Sequence, residues 1–278
     1  MSYSIIGDSC TDLPKNLKED QHFHLVPLSF VVDGFTVVDD ETFDQQDFLQ
    51  RVKASPNCPK SACPSPDDYM KEFAYDGDIY VITLSSALSG SYNSAELAKK
   101  LYLEEHPKKN IEVFDSRSAS VAQVLIAMKI TELVEAGNNF ATVVKKVTSF
   151  RNELKTKFVL ESLDALRKNG RLSGLQAIIC SALNIKPVMA ATAEGAICKL
   201  DQARGIIKAL GLMAKAIEQD VLKPQERILG ISHCNNYERA LWVKNEILKR
   251  VPFKEFFIVD TAGVSTMYAS DGGIIVAY

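Results

Sequence analysis

The chain has 278 residues, and two modest domains fit that length better than one, because single cores stop growing near ~250–300 residues. Hydrophobic residues make up 46% and charged residues 24%, an ordinary globular mixture, and the formal net charge of −3 leaves no basic footprint for nucleic acid or an anionic membrane. The six cysteines form no CxxC pair and do not cluster with the four histidines at zinc-ligand spacing, so they read as reduced, packed side chains of a cytoplasmic protein.

At the N-terminus, MSYSIIGDSCTDLP has neither the basic nor the apolar region of a secretion signal. Tyr3–Gly7 predicts a first strand that ends at the turn-forming pair Asp8-Ser9. From His24 to Asp40 two apolar runs flank Asp33-Gly34, a hairpin signal, and this antiparallel piece is expected as an addition to the main sheet. Residues 51–66 contain four prolines and are expected as an exposed loop. Ile79–Leu84 and Ile111–Phe114 predict strands, with helices over Ser94–Tyr102 and Ala122–Ala136. Such alternation predicts a parallel sheet with covering helices.

The second half begins near Arg151. A helix over Ser162–Lys168 ends at the C-cap pair Asn169-Gly170. Leu175–Leu183 reads as a buried helix. Strands are expected at Lys186–Ala191, Ala196–Leu200, Ile228–Ser232, Phe256–Val259 and Gly273–Ala277, and helices at Gly205–Gln219 and Asn236–Arg250. The most apolar stretch, AIICSALNIKPVMAA, is interrupted by Asn184, Lys186 and Pro187, and falls short of the ~18 apolar residues of a membrane span.

Ligands of open parallel sheets bind beyond the carboxyl ends of the strands. Asp8-Ser9, the segment from Ser85 to Ser91, and Asp115-Ser116 all fall there. The run SSALSGSY places serine hydroxyls and a helix N-terminus together, which suits a carboxylate or a phosphate; the same serines also serve as helix caps. It lacks the glycine pattern and lysine of a nucleotide-binding loop. A serine hydrolase is the competing reading, with Ser89 or Ser86 as nucleophile, His233 as base and Asp115 or Asp8 as its orienter. No G-x-S-x-G elbow supports it. Ala182, Ala190, Ala191 and Ala196 place small side chains among Ile, Leu, Val and Met, leaving room for an apolar ligand or for close packing. Gly170-Arg171 and Arg204 are the basic residues suited to a bidentate contact with phosphate or carboxylate.

Seven segments in order, DSCTDLP (8–14), PKSACPS (59–65), LSSALSGSYNSA (84–95), IEVFDS (111–116), LDALRKNGRLSG (163–174), NIKPVMAATAEGAI (184–197) and Arg204, make the whole chain resemble the DegV family, whose members include fatty-acid-binding subunits of bacterial fatty-acid kinase. The resemblance implies an α/β protein of two domains. Residues 1–155 would form a Rossmann-like parallel-sheet domain and residues 156–278 a second α/β domain, with the ligand held between them. It implies a long-chain fatty acid as ligand, no cofactor, and a separate fatty-acid kinase subunit that phosphorylates the presented carboxylate. Transient membrane contact would go with such a ligand. The implied carboxylate site is Ser61, Ser89, Gly90, Ser91 and Tyr268, with Arg171 and Arg204 facing the phosphate and the partner. Ser61 stands where the family has Thr, and Ala62-Cys63 replace Ser-Gln. At 268–272, YASDG replaces HTGPG, so Tyr268 takes the place of a histidine and Asp271 adds a negative charge.

Overall fold

The computed structural model describes residues 2–172 and 184–278. The chain enters as strand β1 (Tyr3–Asp8), passes a short helix, α1 (Lys15–Lys18), and returns as β2 (Phe23–Val26), parallel to β1. Pro27 has no N–H to continue the ladder. The hairpin that follows, β3 (Ser29–Val32) and β4 (Phe35–Val38), turns at Asp33 and Gly34 with φ of 49° and 81°. The apolar run from His24 is therefore divided. Its first part joins the parallel sheet, while the hairpin pairs with β5 (Lys60–Ala62) in a separate three-stranded antiparallel sheet instead of being appended to the main one.

The proline-rich segment is not one loop. Helix α2 (Gln45–Ala54) covers its start and β5 its middle. Pro66 opens helix α3 (Pro66–Glu72), where its missing N–H costs nothing, and Ser65 and Asp68 form a reciprocal capping box. Strand β6 (Asp78–Thr83), helix α4 (Ser91–Glu105), strand β7 (Ile111–Asp115) and helices α5 (Val121–Glu135) and α6 (Phe140–Glu153) complete the first half. Its sheet has the order β2-β1-β6-β7, all parallel. Helices cover both faces. Tyr80, Ile82 and Phe114 pack on α5 and α6, and Ile79 and Val81 pack on α3 and α4.

The second half opens with β8 (Thr156–Val159), a strand not expected from the sequence, then α7 (Asp164–Lys168), β9 (Ile185–Ala191), β10 (Ile197–Arg204), α8 (Ile206–Asp220), β11 (Ile228–His233), α9 (Tyr237–Leu248), β12 (Glu255–Asp260), α10 (Gly263–Ala269) and β13 (Ile274–Ala277). The sheet runs β10-β9-β8-β13-β11-β12, with only β11 and β12 parallel. The helix expected over Leu175–Leu183, with Ala182, lies outside the described residues. The fold is α/β, as expected.

Helix α5 lies between the two large sheets. It packs on the first through Val124 and Ile130, and meets Val259 and Ala277 of the second through Val121 and Leu125. Its first two turns have no solvent face, which accounts for the nearly unbroken apolar sequence VAQVLIAM there. Polar contacts also cross between the halves. The Asp12 carboxylate accepts from Ala262 N at 2.7 Å, and that of Asp39 accepts from Gly263 N at 2.6 Å and Val264 N at 2.8 Å. Gly195, in the turn between β9 and β10, comes so close to the first half that a Cβ there would lie 2.2 Å from Ser85 Oγ and 2.7 Å from Arg117 Cα.

Candidate functional site

A narrow cavity of about 100 Å³ opens where the carboxyl ends of the parallel strands face the second sheet. Cys10 follows β1, Leu84 and Ser89 follow β6, and Ser118 and Ala119 follow β7, and all line it. The opposite wall is one face of β8 and the residue that follows it, where Thr156, Phe158 and Leu160 alternate inward, with Val264 and Tyr268 of α10 beside it. Strand alternation places every second side chain on this face. The lining is mainly apolar, which suits an alkyl or similarly apolar chain.

Four of its polar side chains gather at one end. Ser61 Oγ, on β5, lies 2.9 Å from the Tyr268 hydroxyl on α10. The Arg171 guanidinium lies 6.0 Å from the Tyr268 ring centroid, a cation–π arrangement. Its Nε donates to Leu88 O at 3.1 Å and its Nη1 to Asn169 O, while its other donors have no partner among the described residues. Ser89 lines the same end, and its Oγ lies 3.0 Å from Ser91 Oγ and accepts from Ser91 N at 3.2 Å. Burial pushes the Tyr268 phenol up, partly opposed by its bond to Ser61 and by the nearby Arg171, so it remains a donor at neutral pH. The three hydroxyls can together bind a carboxylate, with a guanidinium beside them.

Thus Ser61, Ser89, Tyr268 and Arg171, distant in sequence, meet at one mouth. The other named candidates do not. Ser91 is fully buried behind Ser89, next to Asp8, and does not line the cavity. Gly90 is exposed at the N-cap of α4, where the Cys63 thiol would lie 3.0 Å from any added Cβ; its smallness lets β5 approach the helix. Arg204 is exposed at the end of β10, opposite Ile185 of β9, and does not line the cavity. Asp271 is exposed and accepts from Asn235 Nδ2 at 3.0 Å, so its charge is engaged away from the mouth. Of the small residues expected around a ligand, Ala191 lines the cavity, whereas Ala190 faces a different surface hollow.

The hydrolase constellation is not assembled. Ser86 Oγ donates to Asp115 Oδ2 at 2.5 Å, Asp8 accepts from Leu84 N at 2.7 Å and Gln123 Nε2 at 2.9 Å, and His233 Nδ1 lies 3.1 Å from Asp260 on β12. Each member has a structural partner that is not the proposed one. Among the described residues no cluster of three or more His, Cys, Asp or Glu could hold a metal ion, and no helix is long and apolar enough to cross a membrane.

The groups that hold α10 at the mouth come from far away in the chain. Helix α10 carries Tyr268, and its N-terminus has no capping side chain of its own. Asp39 and Asp12 supply the acceptors from more than 220 residues away in the chain. Ser9 Oγ supports Asp39 at 2.8 Å.

A model of the family described as "Uncharacterised protein, DegV family" matches residues 2–278. The chain belongs to the DegV family. A DegV domain-containing protein of Streptococcus gordonii is 36% identical over 280 residues, covering 100% of this chain and 99% of the relative. The crystal structure of a DegV family protein of Ruminococcus gnavus, refined with vaccenic acid, is 47% identical with a TM-score of 0.98 over 100% of both chains. The Streptococcus pneumoniae Fatty Acid Kinase (Fak) B3 protein loaded with linoleic acid is 33% identical with a TM-score of 0.92, covering 100% of this chain and 99% of that one. The DegV architecture is thus shared along the full length, and the cavity lies between the two sheets of that shared fold.

Proposed function

We propose that this protein binds a long-chain fatty acid, with the acyl chain in the cavity and the carboxylate held by Ser61, Ser89 and Tyr268, and presents that carboxylate to a separate kinase. The observation that carries the proposal is the cavity's polarity: a mainly apolar slot whose guanidinium and three of its hydroxyls meet at one mouth. Fatty acids bound to two similar DegV proteins, and the kinase named for one of them, support it.

Each methylene buried contributes ~0.8 kcal/mol, so a long chain supplies several kcal/mol even after ordering losses. A volume of about 100 Å³ is below the ~150 Å³ that takes up one benzene ring in an apolar core, so loading must displace wall side chains. The two halves, divided at 155/156, form the two walls in this reading. Arg171, fixed by carbonyls on one side, turns its remaining donors toward the phosphate formed by the partner. Arg204, exposed outside the cavity lining, belongs to the partner-facing surface. The chain works in the cytoplasm, takes no part in the phosphoryl chemistry and needs no cofactor beyond the fatty acid, which it exchanges in brief contacts with the membrane.

Mass spectrometry of the purified protein under native and denaturing conditions tests the ligand: a long-chain fatty acid should copurify. Failure of the delipidated protein to bind any labelled fatty acid would overturn the proposal. Arg171→Ala should leave fatty-acid affinity within about threefold but reduce acyl-phosphate formation with a DegV-accepting kinase, a partial rescue by Lys being expected because it lacks the planar fork.

A further inference from the structure

The cavity has a second polar point, away from the mouth. Ser118 Oγ and Thr156 Oγ1 lie 2.6 Å apart, and both residues line the cavity while only 6% exposed. One hydrogen bond joins them, yet two hydroxyls bring two hydrogens. Neither oxygen has another partner among the described residues. One donor hydrogen is therefore unused in an otherwise apolar part of the wall, where a buried unpaired polar group is costly. The other interior hydroxyl on this wall differs, since Ser265 Oγ meets Cys10 Sγ at 3.7 Å and stands beside Asp12.

The position of the pair follows from β8. Leu160, just beyond that strand, and Leu166, whose carbonyl accepts from Arg171 N at 2.8 Å, line the mouth end. Thr156 lies four residues back from Leu160 on the same face, ~13 Å deeper. A ligand whose carboxylate lies at the mouth would pass its distal half beside these hydroxyls. The pair is also held in place: Ser118 N donates to Ser116 Oγ at 3.1 Å and Ser118 O accepts from Ser85 N at 2.9 Å, so the Ser118 side chain starts from a fixed turn.

We propose that the Ser118–Thr156 pair is a subsite for an oxygen atom in the distal half of the acyl chain, so that the ligand class includes mid- or late-chain hydroxylated fatty acids. This rests on the fatty-acid reading above. The pair donates its unused hydrogen to the ligand hydroxyl oxygen. Elsewhere along the wall the same hydroxyl would lose water without gaining a partner.

The test is displacement of a fluorescent fatty acid from the delipidated protein by octadecanoic acid and by a series of octadecanoic acids with one hydroxyl at successive distal carbons. One position, or two adjacent ones, should bind at least tenfold more tightly than the rest of the hydroxylated series. In Thr156→Val and in Ser118→Ala the ratio between the favoured hydroxylated acid and octadecanoic acid should fall by tenfold or more, and using ratios within each variant cancels general damage to the cavity. If octadecanoic acid binds but the hydroxylated series is flat, as when the pair holds only a water, the subsite is overturned and the fatty-acid reading survives. A positional preference that persists in both variants overturns it too. If no acid of any kind binds, the fatty-acid reading fails and the subsite fails with it.

Discussion

The two corners that bring hydroxyls to the cavity mouth are built in opposite ways. At the start of α4 the donors and acceptors are local: Ser89 serves Ser91, Ser85 Oγ accepts from Ala87 N at 3.3 Å, and Asp115 on the next strand takes Ser86 N at 3.1 Å. At the start of α10 the amides of Ala262, Gly263 and Val264 have no local acceptor and are met by Asp12 and Asp39 from the other half of the chain. The first corner is assembled mostly by its own turn and the next strand, with Ser85 Oγ donating to Gly195 O of the second half at 2.9 Å. The second exists only once the two halves are docked, so the Tyr268 hydroxyl is placed by long-range packing and the Ser89 hydroxyl by a turn.

That contrast breaks most sharply at Asp39. Asp39→Ala removes the acceptor of two backbone amides and of Ser9, and should cost about 3 kcal/mol in urea denaturation, because buried donors are left unpaired. Asp39→Asn keeps one acceptor oxygen and should cost less. Equal, small losses in both would mean that α10 is held by its apolar contacts alone. At the local corner the effects should reverse. Ser89→Ala should change stability by less than about 1 kcal/mol, yet weaken fatty-acid binding roughly tenfold or more, as expected for a bond to a charged group.

Both corners should also be pH-sensitive, since burial raises Asp8, which accepts from Leu84 N beside the local corner, to about 6. Burial raises Asp12 to about 7 and Asp39 to about 6, from an ordinary aspartate value near 4. The folded state then binds more protons than the unfolded state between those values. The stabilisation is complete below the unfolded pKa and is lost as pH rises through about 6 to 7. Denaturation midpoints should therefore fall between pH 5 and pH 8, and Asp12→Asn, which cannot ionise, should flatten that slope. An unchanged slope would place the titration elsewhere. The smallest effect belongs to Asp271: tied to Asn235 outside the mouth, Asp271→Asn should shift carboxylate affinity by less than about threefold even at low salt.

The same contrast decides what could be read from the sequence. β1, β6 and β7 with α4 and α5 were legible because strand and helix periodicities and their turns are local, and Ser61 and Ser89 because hydroxyls in those motifs match a family pattern. β8 was missed because Thr156–Val159 is four residues long and its pairing partners, β9 and β13, come later in the chain. α10 was missed because its capping groups are remote. Arg204, next to Gly205, lies on an exposed strand end outside the cavity lining. Ser91 has the right chemistry at the right corner, but the turn of α4 points it inward.

The most direct test of the cavity's assignment is paired calorimetric titration of the delipidated protein with a long-chain fatty acid and the matching fatty alcohol at pH 7. Both should bind, the acid at least tenfold more tightly, with the difference reduced in Ser89→Ala and in Tyr268→Phe. Equal affinities for acid and alcohol, unchanged in both variants, would contradict a carboxylate site at this mouth.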